Sequence, residues 1–178
     1  WQCGRASGIA QEIAEQGHAE EIREATGLRL SAYFPAAKMA WLLRNGGEER
    51  QKRAADGKLC LGTIDSWLVY KLTGDHAFKT DFSNASRTQL FNLKTLAWDE
   101  KICEMFGIPV CALARVCDSD AVYGTTTMEG LFSEPVPICG VLGDSHAALF
   151  GQGCLKPGMI KATYGTGSSL MMNIGDKP

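Results

Sequence analysis

The residue of this chain best placed to do chemistry is Asp144, in "PICGVLGDSHAALFGQG" (137–153). The apolar run before it predicts a buried strand, and the small residues after it predict a short helix. Ligands of open α/β sheets bind at the carboxyl ends of strands, and Gly143 allows close approach to the backbone there. Asp144 is therefore a candidate general base. Aspartate is also a preferred helix N-cap, and the two interpretations are compatible because a cap would hold the carboxylate in place.

A second candidate is the turn in "YGTGSS" (164–169), where Gly165 and Gly167 flank Thr166. Glycines in such a turn expose backbone N–H groups that can bind a phosphate. Taken alone this is a weak signal, because the same residues are common in a plain hairpin turn between two strands. His146 lies in the first turn after Asp144 and is interpreted as a bystander rather than a second base.

The elements that must position these residues are a mixture of helices and short apolar strands. Strands are predicted at the start of 59–75, near 76–80, within 117–134, over 135–143, and on both sides of Gly165–Gly167. Helices are predicted over 5–17, 19–27, 35–47, from residue 63 or 65 to 74, around 98–106, and after Asp144. This mixture indicates an α/β layered protein.

Composition excludes several classes of protein. The 178 residues are 45% hydrophobic with a net charge of −2, which argues against a nucleic-acid or anionic-membrane partner. No run approaches the roughly 18 uncharged apolar residues of a membrane-spanning helix. The seven cysteines have no metal-ligand spacing, and we expect most of them to be small buried residues in a reducing cytoplasm. The chain begins with Trp1 rather than Met and is expected to be a fragment.

Taken together, the motifs resemble those of the FGGY carbohydrate kinases. "YFPAAKMAWLLRN" matches the first signature of that family at Tyr33, Pro35, Lys38 and Trp41. Taken alone, Tyr33 and Trp41 are compatible with core aromatics and Lys38 with a solvated helix residue. Five further motifs follow the order and spacing seen in the family members that phosphorylate glycerol: "WQCGRA", "GTIDSWLVYKLTG", "DFSNASRTQLFNLKTLAWDE", "GDSHAALFGQG" and "KATYGTGSS". The resemblance covers nearly the whole chain.

This resemblance implies an α/β chain that is part of a two-lobe ATPase fold of the actin, hexokinase and Hsp70 (ribonuclease H-like) type. Residues 1–152 would be the C-terminal portion of the first, substrate-binding lobe, and residues 153–178 would begin the second, nucleotide-binding lobe. ATP and Mg²⁺ would bind in the cleft, and the γ-phosphoryl group would pass to a hydroxyl of a small sugar or polyol. The resemblance also implies a cytoplasmic, homo-oligomeric enzyme, and the 178 residues alone are expected to be inactive.

The resemblance assigns roles to individual residues. Asp144 would be the general base, and Trp1, Tyr33, Asp144 and Ser145 would bind the substrate. Gly165, Thr166 and Gly167 would bind the phosphates of ATP. No protein ligand for a metal is implied.

Three positions depart from the pattern of the glycerol-phosphorylating members. Ser145 stands where glutamine is usual, Ser169 stands where an aromatic residue is usual, and Gly4 replaces an arginine. The two serines predict a roomier and more polar pocket. Glycerol is the first expectation for the substrate. The alternatives are a larger polyol or ketose, such as erythritol, xylulose or ribulose, and an actin-like nucleotide-binding module without transfer activity.

Overall fold

A computed structural model describes residues 2–176 of the chain. The helices in this range are α1 (Ser7–Glu15), α2 (Ala19–Thr26), α3 (Pro35–Arg44), α4 (Gly47–Ala55), α5 (Ile64–Leu72), α6 (Phe82–Ala85), α7 (Glu100–Phe106) and α8 (Asp144–Gly151). The strands are β1 (Lys79–Asp81), β2 (Phe91–Asn92), β3 (Ala97–Trp98), β4 (Arg115–Cys117), β5 (Gly124–Thr126), β6 (Val136–Ile138), β7 (Ile160–Tyr164) and β8 (Ser168–Met172). A short 3₁₀ turn covers Val110–Ala112.

The helices from α1 to α4 pack with α7 around a shared apolar core. Ile9 and Ile13, four residues apart on one face of α1, are both buried. Pro35 occupies the first turn of α3, where its missing N–H costs nothing, and α2 ends at Gly27 with φ of 70°. The same core takes in residues of α2, α4 and α7 and of the segments that follow α4, α6 and α7, including Ile22, Ala54, Leu61, Leu90, Ile102, Phe106 and Leu113.

The strands pair only in twos within residues 2–176. β1 and β4 are parallel, whereas β2 with β3, β5 with β6, and β7 with β8 are antiparallel. The strand predicted at the start of 59–75 is absent from this described range, where a single bridge joins Leu61 to Leu113. An apolar run is insufficient there because only one residue meets a partner, so no ladder of hydrogen bonds forms.

The strand before Asp144 differs from the prediction in length and burial. β6 covers only Val136–Ile138, and a loop over 139–143 separates it from Asp144. The strand is not buried, since Val136 retains 43% of its exposure. Its apolar residues predicted burial, but β6 pairs with β5 alone, and Val136 and Pro137 both remain open to solvent. Asp144 thus follows a loop and does not lie directly at the end of a buried strand.

The cysteines also differ from the prediction. Cys103 and Cys154 are buried, whereas the other five are exposed or half-buried, so most are not core residues. All seven thiols are free. Among residues 2–176 no helix has both the length and the apolar character needed to cross a membrane.

Candidate active site

Asp144 is the first residue of α8 and is exposed. Its Oδ1 accepts a hydrogen bond from the N–H of Ser145 at 2.6 Å, while its Oδ2 accepts none from residues 2–176. The N-cap position belongs to Gly143, so the N-cap interpretation of Asp144 is wrong in detail. The carboxylate nevertheless satisfies one of the free N–H groups of the first turn. One oxygen is held by the helix, and the other accepts no hydrogen bond from the described residues.

The loop that precedes Asp144 is anchored by two backbone amides. The N–H of Gly143 donates to Ser83 Oγ at 2.7 Å, and the N–H of Val141 donates to the carbonyl of Ser119 at 3.0 Å. A Cβ at position 143 would lie 3.4 Å from Ser83 Oγ and from the Nδ1 of His146. These are ordinary van der Waals distances, so the packing of this loop does not by itself require glycine, and the approach of a ligand to Gly143 stays a prediction.

The glycine turn lies in a hairpin that packs against α8. β7 and β8 pair from Ile160 with Met172 to Tyr164 with Ser168, and the turn between them is exposed. The N–H of Gly165 donates to the carbonyl of Gly167 at 3.2 Å, whereas the N–H groups of Thr166 and Gly167 bind no backbone carbonyl of the described residues. The hairpin prediction is thus confirmed, whereas binding of a phosphate by the turn stays a prediction.

Ser145 and Ser169, the two departures from the family pattern, lie next to each other. Their hydroxyl oxygens are 3.5 Å apart, the outer limit of a hydrogen bond. This contact joins the start of α8 to β8. Ser145, the residue after Asp144, therefore contacts the β7–β8 hairpin that contains the Gly165–Gly167 turn.

Lys161 is a site residue that the sequence analysis missed. It lies in β7 with only 1% of its surface exposed, and its Nζ donates to Thr163 Oγ1 at 2.9 Å and to Ser169 Oγ at 3.3 Å. No carboxylate within residues 2–176 approaches its ammonium group to 4 Å. The available signal was a lysine inside a predicted strand of mainly apolar residues, a position where burial of a charge is costly.

Asp81 is the second residue missed. It ends β1, caps α6 and is fully buried. Burial acts to raise the pKa of its carboxyl group, but hydrogen bonds from Ser119, Ser83 and Asn84 outweigh burial and hold that pKa below its usual value. The available signal was "DFSNA" (81–85), in which an aspartate precedes Ser and Asn, the arrangement of an N-cap.

Tyr33 lies in the turn before α3 and is 53% exposed. Its ring meets that of Phe34 edge to face at 5.0 Å, and its carbonyl accepts a hydrogen bond from Lys38 Nζ at 2.6 Å. The guanidinium group of Arg87, shortly after α6, lies over the ring of Phe34 at 5.1 Å. The Tyr33 turn thus contacts the chain segment that begins with Ser83. Trp1 lies outside the described residues.

His146 is half-buried beside Asp144. Burial lowers the pKa of its imidazole, and the positive charges of Arg87 and Lys161 act in the same direction against the carboxylates of Asp81 and Asp144. Burial and the two nearby cations therefore disfavour the charged form of the imidazole. Within residues 2–176 no group of three or more His, Cys, Asp or Glu side chains is arranged to hold a metal ion.

Comparison with known proteins identifies the class to which this fold and site belong. The model of the N-terminal domain of the FGGY family of carbohydrate kinases matches residues 1–151. The chain is a member of this family, and its α/β structure is part of the actin- and hexokinase-like ATPase fold.

Particular relatives are similar over the whole chain. The glycerol kinase of Pseudothermotoga lettingae is 50% identical over 177 residues, which are 99% of this chain and 35% of that protein. The glycerol kinase of Oceanobacillus iheyensis is 48% identical over 178 residues, again 35% of its length. The structure of Plasmodium falciparum glycerol kinase with ADP superposes with a TM-score of 0.90 at 34% identity over 97% of this chain and 34% of that one. The chain thus spans about a third of the length of these relatives.

A xylulose kinase from Lactobacillus acidophilus shares the fold, with a TM-score of 0.78 at 23% identity over 93% of this chain. That likeness bears on the fold alone.

Proposed function

We propose that this chain supplies the general base and part of the substrate pocket of an ATP-dependent glycerol kinase. The proposal is supported by family membership and by relatives named glycerol kinase at 46–50% identity. The observation that carries it is the geometry of Asp144. One oxygen of the carboxylate is held by the first turn of α8, and the other is exposed and accepts no hydrogen bond from the described residues. A base needs such a combination of fixed position and open lone pairs.

The reaction is transfer of the γ-phosphoryl group to a substrate hydroxyl. The hydroxyl oxygen forms the new bond to the γ-phosphorus, the bond from that phosphorus to the bridging oxygen breaks, and ADP leaves. The hydroxyl proton passes to Oδ2 of Asp144. Oδ1 keeps its hydrogen bond to Ser145, so the carboxylate does not need to reorient during the transfer.

ATP is proposed to bring its phosphates to Gly165–Gly167, where the N–H groups of Thr166 and Gly167 are available. Mg²⁺ would accompany the nucleotide and neutralise charge on the transferred group. Residues 1–152 are proposed to belong to the substrate lobe and residues 153–178 to the start of the nucleotide lobe.

Tyr33 and Ser145 are proposed to bind the polyol, and Trp1 to contact its carbon skeleton. A cytoplasmic location is proposed from the seven free thiols, which suit a reducing compartment. A homo-oligomer, and inactivity of the 178 residues alone, stay predictions.

A larger polyol or ketose is a second candidate substrate, favoured by one observation. Ser145 and Ser169 place two small hydroxyl side chains side by side, where glycerol kinases carry bulkier residues by the resemblance described above. Removal of bulk enlarges a pocket, and adding hydroxyls suits a substrate with more hydroxyl groups.

The test is an Asp144→Asn substitution in the whole protein that carries this chain. ADP release is measured with ATP and Mg²⁺ across glycerol, erythritol, xylulose and ribulose, and nucleotide binding is measured separately. We expect glycerol to be preferred, and the substitution to abolish transfer while nucleotide affinity is retained. Preference for a longer substrate would select the second candidate. Nucleotide binding without transfer in the unsubstituted protein would indicate a binding module and refute the kinase.

A further inference from the structure

We propose that Asp81 is a positioning residue for the general base: through Ser83 and Ser119, its buried carboxylate fixes the loop that delivers Asp144. The inference rests on the proposed kinase function. Asp81 acts through these two serines and does not itself contact the reacting atoms. The loop concerned, residues 139–143, belongs to neither helix nor strand and lacks the hydrogen bonds that a ladder would provide.

The first link runs through the side chain of Ser83. Its Oγ donates to Asp81 Oδ2 at 2.5 Å and accepts the N–H of Gly143 at 2.7 Å. A serine hydroxyl has one proton. Because Asp81 takes that proton, the lone pairs of the hydroxyl are directed to the amide of Gly143. The carboxylate of Asp81 therefore orients the Ser83 hydroxyl, which in turn holds the amide of Gly143.

The second link runs through Ser119. Its Oγ donates to the same Oδ2 of Asp81 at 2.7 Å, and its backbone carbonyl accepts the N–H of Val141 at 3.0 Å. Both residues that anchor the loop thus converge on one carboxylate oxygen. Hydrogen bonds to an ionised acceptor are stronger than neutral ones, so a buried carboxylate suits this role better than an amide.

Asp81 is itself rigidly held. Its Oδ1 accepts the backbone N–H of Asn84 at 3.0 Å and the side-chain Nδ2 of Asn84 at 2.7 Å. These bonds cap α6 and fix the side chain independently of the loop. The loop is consequently attached to a fixed point about 60 residues earlier in the chain. Displacement of a reacting group by about 1 Å can cost roughly 100-fold in rate, so such an attachment has catalytic value.

The experiment compares Ser83→Ala with Ser86→Ala in the whole protein that carries this chain. Ser83→Ala removes the acceptor of the Gly143 amide but leaves the α6 cap on Oδ1 of Asp81. Ser86→Ala is a matched control, because it also removes a serine hydroxyl close to α6. The Oγ of Ser86 donates to the carbonyl of Ser83 at 2.9 Å and contributes to neither link. Ser119→Ala is measured in parallel, because it tests the second link independently if Ser83→Ala fails to fold.

The readouts are kcat, the KM for glycerol and for ATP, and amide hydrogen exchange over residues 139–146. We expect Ser83→Ala to lower kcat about tenfold, as a partial displacement of the base predicts. Both KM values should stay within about twofold, and Ser86→Ala should change no constant beyond about twofold, as for a substitution outside the site. Ser119→Ala should lower kcat in the same selective way. Exchange over 139–146 should quicken in both link variants and not in the control.

The idea is overturned if Ser83→Ala and Ser119→Ala keep the kcat of the Ser86→Ala control, or if exchange over 139–146 is unchanged. An unsubstituted protein that releases no ADP with any polyol would instead refute the proposed function, and with it the catalytic part of this inference. The two failures are therefore distinguishable, because the exchange measurement does not depend on activity.

Discussion

Replacing Lys161 with methionine tests whether its buried charge serves stability or function. The ammonium group donates two hydrogen bonds, to Thr163 and Ser169, and hydrogen bonds with a charged partner contribute about 1.5–3 kcal/mol each. Burial of an ammonium group without a carboxylate costs several kcal/mol. The two effects are of similar size. We therefore expect Lys161→Met, which keeps the length of the side chain, to change the stability of the β7–β8 hairpin by less than about 1 kcal/mol.

Lys161→Ala should behave differently. It removes the charge and also most of the buried aliphatic stem, and truncations of this kind cost about 2–5 kcal/mol through lost contacts and the cavity left behind. Lys156→Met is the matched control, since Lys156 is exposed in the turn before β7 and has no desolvation cost to recover.

The assay is native-state amide hydrogen exchange of β7 and β8 in the whole protein, with ATP kinetics measured in parallel. A change of about 1.4 kcal/mol in local opening alters the exchange rate tenfold. Exchange more than about thirtyfold faster in Lys161→Met would mean that the ammonium is a net stabiliser by about 2 kcal/mol, and it would refute the reasoning. We expect near-normal exchange with a raised KM for ATP, because Lys161 holds both Thr163 and Ser169 at the base of the Gly165–Gly167 turn.

Two further predictions concern titratable groups. Burial lowers the pKa of His146 in the folded protein, so the unfolded chain binds the proton more readily. The neutral imidazole therefore contributes fully to folding stability above its ordinary pKa. That contribution is lost as the pH falls from the ordinary pKa towards the lower pKa of the folded protein. Melting temperatures between pH 7.5 and 5.5 should therefore fall less for His146→Gln than for the unsubstituted protein, and equal slopes would contradict this. A hydrogen bond from Arg5 Nε, 3.1 Å from Cys3 Sγ, lowers the pKa of that exposed thiol, whereas burial raises the pKa of Cys103 to about 12. Iodoacetamide should label Cys3 well before Cys103, as peptide mass spectrometry would show, and Arg5→Gln should slow the labelling of Cys3; equal labelling of both thiols would refute the assignment.

Local signals in the sequence were sufficient for most of the helices and for the hairpin. Pro35 marks a helix start because its ring fixes φ, and Gly27 marks a helix end because glycine adopts the left-handed conformation without steric cost; both marks hold in the structure. The same is true of the Gly165–Gly167 turn, whose flanking strands pair with each other and need no distant partner. The strand predicted at the start of 59–75 failed because strand formation depends on a neighbour elsewhere in the chain.

Asp144 could be selected as a candidate from its neighbours alone, because a carboxylate after an apolar run and a glycine is a local pattern. The prediction that Asp144 is the N-cap was wrong by one residue, because Gly143 occupies that position. Residue preference alone does not distinguish the two positions, since aspartate is favoured both at the N-cap and in the first turn. The family to which the chain belongs was likewise evident from ordered motifs, and the match over residues 1–151 confirms it.

The sequence by itself thus determined the family, the positions of most helices and the candidate base. Only the tertiary structure decided what holds that base. Ser83 and Gly143 are far apart in the chain, and Ser145 and Ser169 belong to different elements. Their contacts depend on how β1, α6, α8 and the β7–β8 hairpin pack, and hydrogen bonds between distant residues leave no periodic pattern in the sequence.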